Sequence, residues 1–125
     1  MRVRFVIVSV LLILSLAACA SDPAPSVAEP AGPHLTVIAH DIAFDTTELK
    51  LTTNQPTRIF FVNHDNGVPH NIAISVNQGG APTMFEGALI SQGAIVYDVP
   101  AFSAGSYHFY CTVHPNMNGT VQVTP

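Results

Sequence analysis

From residue 34 to the C-terminus, apolar side chains recur in short alternating or β-branched runs, with Gly, Pro or Asn between most of them. Runs of that length and period form strands rather than amphipathic helices. Seven are legible, at residues 35–40, 49–52, 57–63, 71–76, 93–99, 106–111 and 120–124. Nothing between them has the 3.6-residue period of a long helix. The pattern predicts an all-β domain, an antiparallel Greek-key β-sandwich of about seven to eight strands. Residues 77–92 are the least patterned. Gly79-Gly80-Ala81-Pro82 reads as a turn or loop, and residues 83–89 as irregular chain or a single helical turn. No internal repeat is visible.

One loop in this frame holds an unusual set of side chains. Cys111-Thr112-Val113-His114-Pro115-Asn116-Met117 places a thiolate, an imidazole and a thioether at three-residue intervals. A second imidazole, His70, stands in Val68-Pro69-His70-Asn71-Ile72. Side chains alternate across a strand. Ile72, Ile74 and Val76 therefore share a face with His70, and Tyr107 and Phe109 share one with Cys111. Both residues project from core-facing rows at strand ends. If those ends meet at one pole, thiolate and imidazole converge.

Cys, two His and a Met are the donors of a trigonal His₂Cys copper site with a long, weak axial thioether. Zinc also takes Cys and His, but a single thiolate and a Met favour copper. His70, Cys111, His114 and Met117 are thus the candidate ligands of one mononuclear type 1 copper. Asn71 and Thr112 each follow a ligand directly. Their side chains either hydrogen-bond across the two ligand loops or stand solvated. His34 and His40 flank the first strand and are expected in solvent. His64 is expected as a polar loop residue, His108 with outward parity, and Met84 as a space filler.

The N-terminus carries a different signal. Arg2 and Arg4 precede an apolar run at residues 5–16, too short to span a bilayer as a helix. Leu16-Ala17-Ala18-Cys19 then resembles the lipobox of bacterial lipoproteins, in which the signal is cut before a cysteine that becomes lipidated. An ordinary secretory signal with an incidental Cys19 is the alternative. Residues 1–18 are read as the signal and residues 19–33 as the lipidated Cys19 with a Pro/Ala-rich tether. Residues 34–125 are the copper-binding domain. The expected location is outside the cytoplasm, lipid-anchored on the periplasmic or outer cell-surface side. Loss of residues 1–18 leaves Lys50 and Arg58 against eight acidic residues, which excludes a nucleic-acid surface. Cys111 is then a lone thiol in an oxidising compartment, and bound metal protects such a thiol.

Residues 105–121, with Tyr107-His108-Phe109-Tyr110 leading into the Cys111 loop, resemble the copper loop of the cupredoxins. The plastocyanin, pseudoazurin and amicyanin branch is nearest. Val68-Pro69-His70-Asn71 is similar to the first-ligand segment of that group. Cys-x₂-His-x₂-Met matches the short loop of amicyanin; plastocyanin and pseudoazurin have two more residues before the Met. The resemblance covers most of residues 34–125, although only the two ligand segments are specific. It implies a cupredoxin sandwich, a type 1 copper and electron transfer, with ligand roles at His70, Cys111, His114 and Met117. It also sets Tyr107 where such chains keep a buried tyrosine. Tyr110 falls where they keep an exposed one, a candidate electron port or a plain surface aromatic.

Two functions stay open. One is a membrane-tethered carrier of single electrons between redox protein partners that dock near His114. The other is an extracytoplasmic copper carrier or buffer that delivers metal to an exported enzyme. Only three Met are present, Met1 among them, and no His- or Met-rich tract supports the second. No His-x-His pairs, Ser-His-Asp set or acid pair points to an enzyme, so a non-enzyme is expected, and a monomer. A metal-free adhesion sandwich would leave the ligand set to coincidence.

Overall fold

A computed structural model describes residues 27–125 of the chain. The leader and the lipidation expected at Cys19 lie outside the described residues. Nine strands follow in order: β1 (Leu35–His40), β2 (Ala43–Phe44), β3 (Glu48–Thr52), β4 (Thr57–Asn63), β5 (Ala73–Ser75), β6 (Thr83–Glu86), β7 (Gly93–Val99), β8 (Gly105–Tyr110) and β9 (Asn118–Thr124). They form two sheets, ordered β2-β1-β4-β7 and β3-β9-β8-β5-β6.

The all-β sandwich is as expected, but the sheets are mixed rather than purely antiparallel. β1 pairs with β4, and β3 with β9, in parallel. Parallel neighbours need a crossover connection, and here the chain supplies it by visiting the opposite sheet between the paired strands. The two strands not expected are β2 and β6. Each places a single apolar side chain against the interior, too little for a period-two signal. Phe44 of β2 lies 5.3 Å from Phe109, ring centre to ring centre, and Phe85 of β6 lies 5.8 Å from Tyr97.

Alternation builds the core between the sheets. Val37 and Ala39 of β1, Ile59 and Phe61 of β4, Ile74 of β5, Phe109 of β8 and Val121 of β9 are fully buried. Burying a side chain such as Phe61 contributes about 1.5–3 kcal/mol relative to leaving it exposed. The parity read for residues 71–76 breaks at its end. The β5–β6 register skips Met84 between the Ile74–Phe85 and Ser75–Thr83 pairs, so the bulged residue lies on β6. Val76 follows the last residue of β5 and is 39% exposed.

The chain enters at the end of the sandwich where β4 starts. Arg58 Nη2 donates to the Ala31 carbonyl at 2.7 Å, which holds residues 27–33 against β4. His34 departs from its expected solvation. Its side chain is 14% exposed, its ring contacts Glu29 Oε1 at 3.0 Å and the Gly32 carbonyl at 2.8 Å, and it packs edge-on to Phe60. His40 is exposed, as expected.

Candidate metal centre

The end of β4 builds the first wall of the site. Asn63 faces inward in line with Ile59 and Phe61 and is almost fully buried. Its amide donates to the Val68 and Ile90 carbonyls at 2.8 and 2.7 Å, and its oxygen accepts from the Asp65 N–H at 2.8 Å. That single side chain shapes the loop at residues 64–69, which delivers His70. His70 is then fixed by two backbone hydrogen bonds with Ile90, both 3.0 Å.

β8 supplies the second wall. Cys111 follows its last residue and is fully buried. The loop after it folds back on itself: Met117 N–H donates to the His114 carbonyl, and Cys111 N–H to the Met117 carbonyl, both at 2.9 Å. Met117 is 1% exposed and lies in the core cluster, whereas His114 is only half-buried. Asn71 joins the two walls. Its carbonyl oxygen accepts from Thr112 N–H at 2.9 Å and Thr112 Oγ1 at 3.1 Å, while its amide donates to the Gly87 carbonyl at 2.8 Å.

Nδ1 of His70 lies 3.8 Å from Cys111 Sγ, and Nδ1 of His114 lies 3.7 Å from it. The donor atoms of all three residues are within 4.8 Å of one another. Metal–sulfur and metal–nitrogen bonds of about 2.3 and 2.0–2.1 Å, held at 120°, place S and N roughly 3.8 Å apart. The triangle therefore fits one soft metal ion in a trigonal setting, with copper's preferred donors.

Nearby groups respond to this setting. The Tyr97 phenol is pushed above its ordinary pKa by burial first and by the charge of a Cys111 thiolate second. It donates to the Ala88 carbonyl at 2.6 Å. The Asp65 carboxyl is held below its ordinary value by the Ile42 amide first, with the His70 imidazole and the Asp41 amide adding to it and desolvation opposing. His70 Nε2 lies 2.8 Å from Asp65 Oδ2.

Tyr110 is half-buried rather than exposed. It stacks on His108 at 5.7 Å, and the Gly79-Gly80 loop closes over it. A Cβ at Gly80 would stand 3.1 Å from its hydroxyl, on a backbone with φ +80°. Tyr107 donates its hydroxyl to the Ser103 carbonyl at 3.0 Å and packs on Phe102. His64 is exposed beside His40, and Met84 is 45% exposed on β6. Sequence reasoning missed Asn63 and Asp65. Asn63 had a usable signal, being a polar residue at the inward parity of β4. Asp65 had none.

A mixed β-sandwich with a closed Cys-His-His triangle at one pole defines a small soft-metal protein with a type 1 copper donor set. The cupredoxin-like domain family model matches residues 6–123, and the chain belongs to that family. No curated protein sequence matches it. Among solved structures, reduced auracyanin from the photosynthetic bacterium Roseiflexus castenholzii superposes with a TM-score of 0.64 at 20% identity, over 77% of this chain and 100% of that one. A reduced amicyanin variant superposes with a TM-score of 0.59 at 25% identity, over 82% and 93%.

Proposed function

We propose that the protein binds one type 1 copper through His70, Cys111, His114 and Met117 and carries single electrons between redox partners. The carrying observation is the 3.7–3.8 Å spacing of both Nδ1 atoms from a buried thiol. Family membership supports the copper. When bound, copper supplies a one-electron couple. The chain keeps the donors still: Asn71 locks the two ligand loops together, and the Cys111–Met117 backbone bond closes the second. Fixed donors limit rearrangement on electron transfer. His114 is the ligand nearest solvent, and exposed Val113 and Pro115 flank it. Weak redox encounters use small interfaces, and this apolar pole suits one. Adding Cu(II) to the purified protein is expected to give an intense blue thiolate-to-copper band, reversible on reduction. A colourless protein would sink the assignment.

The tether belongs to the same proposal. Residues 27–33 meet the sandwich at Arg58, at the start of β4, and the donor triangle lies beyond Asn63 at its end. Five strand residues separate the two by about 17 Å. An anchor at Cys19 would thus leave the metal pole facing away from the membrane. Cys19→Ser is expected to move the protein from the membrane fraction to the soluble one. Unchanged partitioning would refute lipid anchoring.

A further inference from the structure

We infer that Asp65 is a positioning residue of the metal centre, which fixes His70, lowers the reduction potential and ties the β1–β2 turn to that ligand. The inference rests on the copper reading of the site. His70 is fully buried, with Nδ1 toward Cys111 Sγ and Nε2 on Asp65 Oδ2 at 2.8 Å. If Nδ1 gives its lone pair to the metal, Nε2 must carry the proton. It then donates to Asp65, whose side chain is 12% exposed. A carboxylate acceptor makes the ring a stronger donor through Nδ1 and places a negative charge beside the site. Both effects favour Cu(II) over Cu(I).

The same carboxylate has a second duty. The β1–β2 turn is a two-residue hairpin loop, Asp41 and Ile42, with φ of +53° and +56°. Left-handed backbone is unfavourable for any residue with a Cβ and most so for a β-branched one. Asp65 Oδ1 accepts from Asp41 N–H at 2.7 Å and Oδ2 from Ile42 N–H at 2.9 Å. Three donors thus meet two oxygens. An amide in that place would turn its own NH₂ toward one of those donors. One charge therefore holds a strained turn, 52% exposed at Ile42, and a ligand with no exposure.

The test compares copper-loaded wild type, Asp65→Asn and Asp65→Glu. Asp65→Asn is expected to keep the blue band while the Cu(II)-to-Cu(I) affinity ratio falls about tenfold, which raises the potential by about 59 mV. Asp65→Glu retains the charge and is expected to stay nearer the wild-type potential; a purely structural role would shift both variants alike. A blue Asp65→Asn protein with an unchanged potential overturns this inference and leaves the copper reading standing. A wild type that takes no copper overturns both. Should Asp65→Asn fail to fold, nitrogen-15 NMR of the diamagnetic Cu(I) wild type decides. A slowly exchanging His70 Nε2–H supports the inference, and a proton on Nδ1 overturns it.

Discussion

Cys111→Ser is expected to abolish the intense visible band and most of the stabilisation that copper confers. The thiolate is the soft member of the donor set and the origin of the charge-transfer colour. Its sulfur is fully buried and lies within 3.8 Å of both Nδ1 atoms. A hydroxyl oxygen is harder, smaller and protonated at neutral pH, so the triangle no longer closes on a metal. The fold should survive, because the Cys111 N–H still reaches the Met117 carbonyl. Copper that binds the native state alone stabilises it by about 2.7 kcal/mol at a hundred times Kd. That is about 10–20 °C in Tm for a domain of this size. The variant should lose nearly all of this shift, read by thermal melts with and without metal. A persistent blue band, or an equal shift, would show that Cys111 is not a ligand.

What the sequence disclosed follows from which interactions are periodic. β1, β4 and β7 have the expected bounds because Val37 and Ala39, Ile59 and Phe61, and Tyr97 and Val99 repeat the inward signal. Phe44 and Phe85 each stand alone, so β2 and β6 left no pattern. Parallel pairing is invisible to periodicity, since it depends on which sheet the chain visits in between. Cys111, His114 and Met117 lie close together because they are close in sequence. His70 is 41 residues from Cys111, and only strand parity linked the two. Asp65 and the cover over Tyr110 depend on how aperiodic loops fold back, and hydropathy carries no record of that. His34 shows the same limit, because its burial comes from residues 27–33 returning to β4.

Gly119→Ala is expected to destabilise the domain by about 3 kcal/mol, the upper end of ordinary overpacking. Gly119 pairs with Phe109 across β8 and β9. A Cβ there would stand 2.7 Å from Phe109 Cζ and would also collide with the Thr47 carbonyl oxygen. Neither neighbour can retreat cheaply. The Phe109 ring is fully buried and rests on Phe44 at 5.3 Å. The Thr47 carbonyl accepts the Thr120 N–H at 2.9 Å, and losing that bond would add about 1 kcal/mol. The overpacking loss of about 3 kcal/mol alone corresponds to a fall in Tm of about 12–24 °C at 4–8 °C per kcal/mol. The effect should reach the metal centre, because Phe109 precedes Cys111 by two residues on the same face and Gly119 follows Met117 by two. Weaker copper binding is therefore expected along with the lower Tm. A variant that melts within about 4 °C of wild type, a loss under about 1 kcal/mol, would show that β8 and β9 part easily here. The close approach at Gly119 would then play no part in holding the ligand loop.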